Sequence, residues 1–262
     1  MIGERKRRFP GDLPAFSRYE ALVRIENYWK KDGEDVKKLR ATKTVRYLYT
    51  VHALIGIALS GWFLYRGDYR RMGLALIALL CLAVPRLIAG IFRVDLPPAL
   101  EGLAVVFLML TGYLGEVGGF YERIPVWDNL LHLTSGVMFC AFGCGLMNRP
   151  AEEREERPSG ARLLFGVSFA LAAGVIWEFI EFTCDKTFGT SMQKPTVLPG
   201  FYDTGLVDTM EDLALGFVGA LLFALYTARF WVLTHGAPGK WIPTARRRRE
   251  GDATDPAADV AK

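Results

Sequence analysis

Seven acidic or histidine side chains stand near the ends of three apolar stretches. They are Asp128 and His132 in DNLLH, Glu178, Glu181 and Asp185 in WEFIEFTCD, and Asp208 and Asp212 in DTMED. Their spacing is helical: two i, i+4 pairs and one i, i+3, i+7 set, so each group shares a helix face. Ionisable groups inside apolar spans are expensive; they line a cavity, pair with one another or bind an ion. The six carboxylates around one imidazole would repel one another if all were charged, so either several keep their protons or a cation sits among them. Hard oxygen ligands with one nitrogen suit Mg2+, Mn2+, Ca2+, Zn2+ or Fe2+. On this reading Asp128, His132, Glu178 and Asp212 hold a divalent cation, with Asp185 as a further ligand and Glu181 or Asp208 as base. A proton or substrate relay without metal, and a polar network that only fixes packing, stay open as alternatives. Capping could account for Asp128 and Asp208, which open their helices, but not for His132, Glu178, Glu181 or Asp212. Asp185, near a helix C-terminus, has the wrong sign for the dipole and needs another reason.

The elements that must position these groups are membrane helices. Hydrophobic residues make up 51% of the 262 and the mean hydropathy is +0.19. The apolar residues lie in blocks, and a span needs about 20 of them. Six stretches qualify: roughly Tyr47–Tyr65, Met72–Phe92, Ala99–Gly118, Asn129–Met147, Leu163–Thr183 and Val207–Leu233. The second carries Pro85 and Arg86, yet no span is clearly broken. The expected fold is all-α: a polytopic membrane bundle of six transmembrane helices with both termini cytoplasmic. Residues 1–46 read as a basic cytoplasmic arm, 47–233 as the transmembrane domain and 234–262 as a disordered basic tail. No cleavable signal peptide is visible, since the first apolar run is too long and too late for one.

Orientation follows from lysine and arginine, which cytoplasmic segments retain. The segment before the first span holds 13 of the 32, including Arg5–Arg8. Arg149, Arg154, Arg157, Arg162 and Arg246–Arg249 fall on the same side; Arg66, Arg70, Arg71, Arg123, Lys186 and Lys194 fall on the other. Spans four and six then run inward and span five outward, so all three acidic stripes meet at the outer face. Trp62, Trp127, Trp177 and Tyr202 mark that interface, and Tyr47, Tyr49 and Trp231 the inner one. The net charge of +4 suits retention and anionic lipid heads rather than nucleic acid. The expected partner is the lipid bilayer. Cys81, Cys140, Cys144 and Cys184 lie in or at the ends of apolar spans and read as packing residues, without a CxxC metal signature.

Further features complete the reading. The outer connection Lys186–Leu206 is long for an irregular loop and is either a lid or a passive linker. DNLLHLTSG and DTMEDLALG share D-x-x-x-[HD]-L-x-x-G, which suggests that helices 3–4 and 5–6 are parallel repeats. Gly136 and Gly216, one turn below His132 and Asp212, permit close helix approach, while Gly174 reads as ordinary packing. Arg86 and Glu101, in the cytoplasmic half of spans two and three, are expected to form a structural ion pair. His52 reads as a packing residue and His235 as part of the tail. In the arm, Phe16–Trp29 has the spacing of a basic interfacial helix or of a solvated cap on the bundle.

The ordered motifs Asp128–His132, Glu178–Glu181 and Asp208, Thr209, Asp212, Leu213 resemble those of the YjdF-like family of bacterial membrane proteins: D-x-x-x-H, E-x-x-E, then D-T-x-x-D-L. The resemblance covers roughly residues 45–230 and implies a bacterial inner-membrane location, with no established reaction. A more distant similarity is to the VanZ-like group, which has Gln and Asn where this chain has Glu181 and Asp212. The functional expectation is a membrane protein with an outward-facing Asp/Glu/His site that binds a cation and acts on or binds an envelope or lipid ligand. The alternatives are a cation- or proton-coupled transporter and a structural accessory protein.

Overall fold

The computed structural model describes residues 42–147, 159–194, 197–198, 201–203, 205–230 and 241–245. The chain divides into two units, Met1–Thr44 and Val45–Lys262. The candidate site and the helices that carry it lie in the second unit. The expected helix at Phe16–Trp29, the connector after span four and the end of the tail lie outside the described residues.

Helix α1 is Thr42–Arg66. The second span is split into α2, Tyr69–Cys81, and α3, Val84–Ile91, followed by the two-residue strand β1, Val94–Asp95. The third span is α4, Pro98–Met109, running on as a π-helix over Leu110–Val117; the short α5, Phe120–Arg123, follows. Then come α6, Trp127–Leu146; α7, Gly160–Phe188; strands β2, Val197–Leu198, and β3, Phe201–Tyr202; α8, Leu206–Phe230; and β4, Thr244–Ala245. Among the described residues, six helical spans are thus long and apolar enough to cross a membrane. The break in span two corrects the expectation of unbroken spans. Pro85 sits in the first turn of α3, where its missing N–H costs nothing; within a continuous helix it would have removed a hydrogen bond and clashed with the preceding turn.

At the site the ionisable groups face the bundle interior while apolar side chains face outward, as expected in lipid. On α7, Ile176, Phe179 and Phe182 are exposed while Glu178 and Glu181 are buried. Acids at i, i+3 turn inward and the apolar stripe turns to lipid.

Helix α6 packs on both α7 and α8. A Cβ on Gly136 would run into the carbonyl of Gly216, and one on Gly219 into the carbonyl of Leu133. The two backbones therefore touch, which only glycine allows. Lower on α6, Cys140 and Cys144 pack over Gly166 of α7. All four cysteines are free thiols. Arg162 donates from Nε to the Cys144 carbonyl at 2.8 Å, giving an end carbonyl of α6 a cationic partner.

Within the stretch expected to be a disordered tail, residues 241–245 are ordered. β4 pairs antiparallel with β1, Val94 opposite Ala245. Ile242 is 1% exposed, and Pro243 lies against Gly145 at the end of α6. Tail composition conceals this, because one Trp-Ile-Pro triplet among charged residues carries the apolar contact. On the same side of the bundle, Arg86 Nε donates to Glu101 Oε1 at 3.0 Å and its guanidinium lies 4.2 Å from the Tyr49 ring centroid. His52 is fully buried and bonds the Ala78 carbonyl, a packing role.

Replacing Gly136 with Ala should destabilise by about 1–3 kcal/mol through overpacking. Gly73→Ala, whose Cβ would meet nothing within 4 Å, should leave the Tm in detergent unchanged. Equal Tm values for the two variants would contradict the backbone contact.

Candidate functional site

Asp128 and His132 occupy the first two turns of α6, and Asp208 and Asp212 those of α8. The two helices run in parallel, so equivalent positions meet level by level. At the top, Asp128 and Asp208 are joined by Lys194, whose ammonium bonds Asp128 Oδ2 and lies 3.5 Å from Asp208 Oδ1. One turn down, roughly 6 Å, His132 Nε2 is 3.5 Å from Asp212 Oδ2 and 3.5 Å from Asp128 Oδ1. A turn further, Gly136 touches Gly216. The shared D-x-x-x-[HD]-L-x-x-G pattern is therefore a set of three facing pairs.

Helix α7 delivers Glu178 and Glu181 beside Asp212. Glu178 Oε2 accepts from Thr209 Oγ1 at 2.8 Å, and Glu181 Oε1 accepts from Trp177 Nε1 at 2.7 Å. Their other oxygens, Glu178 Oε1 and Glu181 Oε2, have no hydrogen-bond partner among the described residues, and neither has Asp212 Oδ2. These three residues are 5%, 7% and 3% exposed. Buried carboxylates normally have their oxygens satisfied, so three orphans in one place demand an explanation. Two triads can be drawn through the cluster, Asp128/His132/Asp212 and Glu178/Glu181/Asp212, each with potential ligand atoms within 4.8 Å of one another. Asp212 belongs to both.

Asp185 does not join the cluster. Its Oδ1 accepts from Thr190 Oγ1 at 2.5 Å and from the Met192 amide, and its Oδ2 accepts from the Gln193 amide. It folds the connection back over the site, which gives this carboxylate at a helix end its reason. Gly189 ends α7 in the left-handed conformation, φ 65°, and starts that return. The connection is thus partly structured: it contains the β2–β3 hairpin and is fastened at its far end by Asp203. The carboxylate of Asp203 accepts from the Gly205, Leu206 and Val207 amides. Asp203, and not Asp208, serves the start of α8. Asp208 is left to bind the Lys194 amide at 3.1 Å as well as its ammonium. Asp128 likewise makes no cap, since no side chain caps the start of α6.

Several residues at the site carry no signal in the sequence. Gln193 Nε2 donates to Thr209 Oγ1 at 2.9 Å and reaches Glu178 Oε2 at 3.4 Å. Trp177, expected at the interface, donates into the cluster. Tyr121 of α5 packs against Gly115 in the π-helical segment, with Lys194 5.9 Å from its ring centroid. Burial first, then the charges of Asp128, Glu116, Glu181 and Asp212, push its phenol up, so it keeps its proton as a donor. A π-helix is a rare device often found at functional sites; here its C-cap is Gly118, and Gly119, φ 69°, turns the chain into α5, which carries Tyr121. Gln193 is revealed only by contacts at long sequence separation, with Thr209 and Glu178.

Six membrane-length helices among the described residues, three of which carry a carboxylate and imidazole cluster between them, make this a multi-pass integral membrane protein. The chain belongs to the family described as "Predicted membrane protein (DUF2238)", whose model matches residues 47–232. It is also similar to an uncharacterized protein of Thermotoga maritima, 30% identical over 119 residues; these are 45% of this chain and 55% of that protein's length. Neither description names the VanZ-like group, and no solved structure matches.

Burial pulls the Lys194 pKa down, but the Asp128 hydrogen bond and the charges of Asp128, Asp208 and Asp212 outweigh it and hold the pKa above the usual 10.5. A raised lysine pKa stabilises the docked connection fully below the ordinary value, and that contribution is lost only as pH rises through the higher folded one. At neutral pH, Lys194 should be acylated severalfold more slowly than exposed Lys186, as read by mass spectrometry. Asp128→Asn should bring the two rates together.

Proposed function

We propose that this protein binds a hard divalent cation in the deep triad Glu178, Glu181 and Asp212 and presents it to an anionic envelope or lipid ligand. The observation that carries the proposal is a trio of buried carboxylates that each offer an oxygen within 4.8 Å of the others and each keep one oxygen without a hydrogen bond. Three carboxylates at that depth are tolerable only if protons or a cation neutralise them. Carboxylate oxygens alone favour Mg2+, Mn2+ or Ca2+ over softer metals. Relative to the sequence expectation, Glu181 moves from base to ligand, and Asp128 with His132 moves to the mouth. Asp208 stays as the base candidate, held there by Lys194.

The positive charge on both terminal segments supports an orientation with the cluster outward in a bacterial inner membrane. There a bound cation would lie near the level of lipid head groups, where it could hold a phosphate or activate water.

Metal analysis of the purified full chain, stripped with chelator and reloaded with Mn2+, tests the proposal. The wild type should retain Mn2+, and Glu178→Gln and Asp212→Asn should weaken its binding by about 10-fold or more, as even outer-shell changes at metal sites do. In the metal-free state Asp212→Asn should leave the Tm close to the wild type's, because relief of a buried charge offsets the lost ionic contact with His132. It should also abolish the Tm increase that Mn2+ gives the wild type. A metal-free Tm lowered by Asp212→Asn, with no effect of Mn2+ on the wild type, would establish a structural network instead.

A further inference from the structure

The mouth of the cluster already contains a cation: the ammonium of Lys194. It sits between Asp128 and Asp208, beside the second group of potential ligands, Asp128, His132 and Asp212. That group shares Asp212 with the deep triad. Asp212 Oδ2 is buried without a hydrogen bond, and its ionic contact is His132 Nε2 at 3.5 Å, so this carboxylate stands on the boundary between two anionic compartments. A carboxylate in that position is what two-cation sites use to hold their metals about 3.5–4 Å apart.

We propose that the centre takes two divalent cations bridged by Asp212, the second on Asp128, His132 and Asp212, and that Lys194 is a tethered stand-in for that second cation. The inference rests on the reading of the deep triad as the first cation position. The second site has the donor set of Mn2+ or a similar ion, two carboxylates and an imidazole.

Lys194 is built for exchange. Its side chain is 42% exposed, so its long stem can swing into solvent. Its backbone is fastened separately, through the amide bond to Asp208 Oδ2, and Asp185 and Gln193 hold the preceding turn. The ammonium can therefore leave without the connection lifting. A second divalent ion in its place would carry twice the charge and leave open positions for an anionic ligand. The centre would then hold one cation at rest and two when an anion completes the coordination.

The test uses the full chain in detergent with Mn2+ as the probe, combining metal stoichiometry with electron paramagnetic resonance. The wild type should take up one Mn2+ per chain with the spectrum of an isolated ion. Lys194→Met should take up two at the same free Mn2+, with the broadened spectrum of a coupled pair, and its second affinity should exceed the wild type's by about 10-fold or more. Lys194→Arg, which keeps the charge, should stay at one, and adding His132→Ala to Lys194→Met should return it to one. A Lys194→Met protein that takes up a single Mn2+, or two without spin coupling, overturns the bridged pair while leaving the deep site standing. Absence of Mn2+ from the wild type and all variants overturns both.

Discussion

The backbone contact between α6 and α8 governs everything at this site. Lipid offers no hydrophobic drive for helices to associate, so close van der Waals packing must supply it, and small residues make that possible. With Gly136 against Gly216 and Gly219 against the Leu133 carbonyl, the helices are locked side by side and in one register. That register places His132 level with Asp212 and Asp128 level with Asp208. Slide one helix by a residue and each facing pair turns away by about 100°, as 3.6 residues per turn dictates. The acidic centre is thus a consequence of glycine packing one turn below it.

The acids that look alike in the sequence do different work. Asp185 and Asp203 are spent on backbone amides, one at each end of the connection between α7 and α8. They make a polar strap out of a segment rich in glycine and proline. Asp128 and Asp208 hold the lysine that the strap carries. Only Glu178, Glu181 and Asp212, among the described acids, keep unsatisfied oxygens in the interior. Burial and partner count, rather than residue type, sort structural carboxylates from those free to meet a ligand.

Hydropathy made the six spans legible, because an apolar run of membrane length has few other uses. Helical spacing also gave the inward faces of α6, α7 and α8, since the acids recur at i, i+3 and i+4. The break in span two was legible only as a proline inside an apolar run, and the run masked it. What the sequence concealed has one physical cause: contacts between residues far apart along the chain. Lys194 meets Asp128 across 66 positions, Thr209 meets Glu178 across 31, and Tyr121 follows a π-helical segment that no residue pattern announces. The docked strand at Thr244–Ala245 was hidden likewise, because its partner Val94–Asp95 is a two-residue strand between two spans. For Asp185, spacing gave the helix face but could not show the amides that fold back onto its carboxylate.

A purely structural role for the deep carboxylates is hard to sustain on energetic grounds. The α6–α8 register is already fixed by glycine against backbone, and α6–α7 by Gly166 under Cys140 and Cys144, with Arg162 pairing the end of α6. Packing therefore gains little from Glu178, Glu181 and Asp212. Yet each buried ionised carboxylate carries a desolvation penalty of several kcal/mol, which hydrogen bonds recover only when every oxygen is satisfied. Here one oxygen on each is not. A network that served packing alone would be more stable with amides or apolar side chains in those three places. That imbalance is what supports the proposed cation, which would use the free oxygens. Lys194 shows that a cation is welcome one turn above.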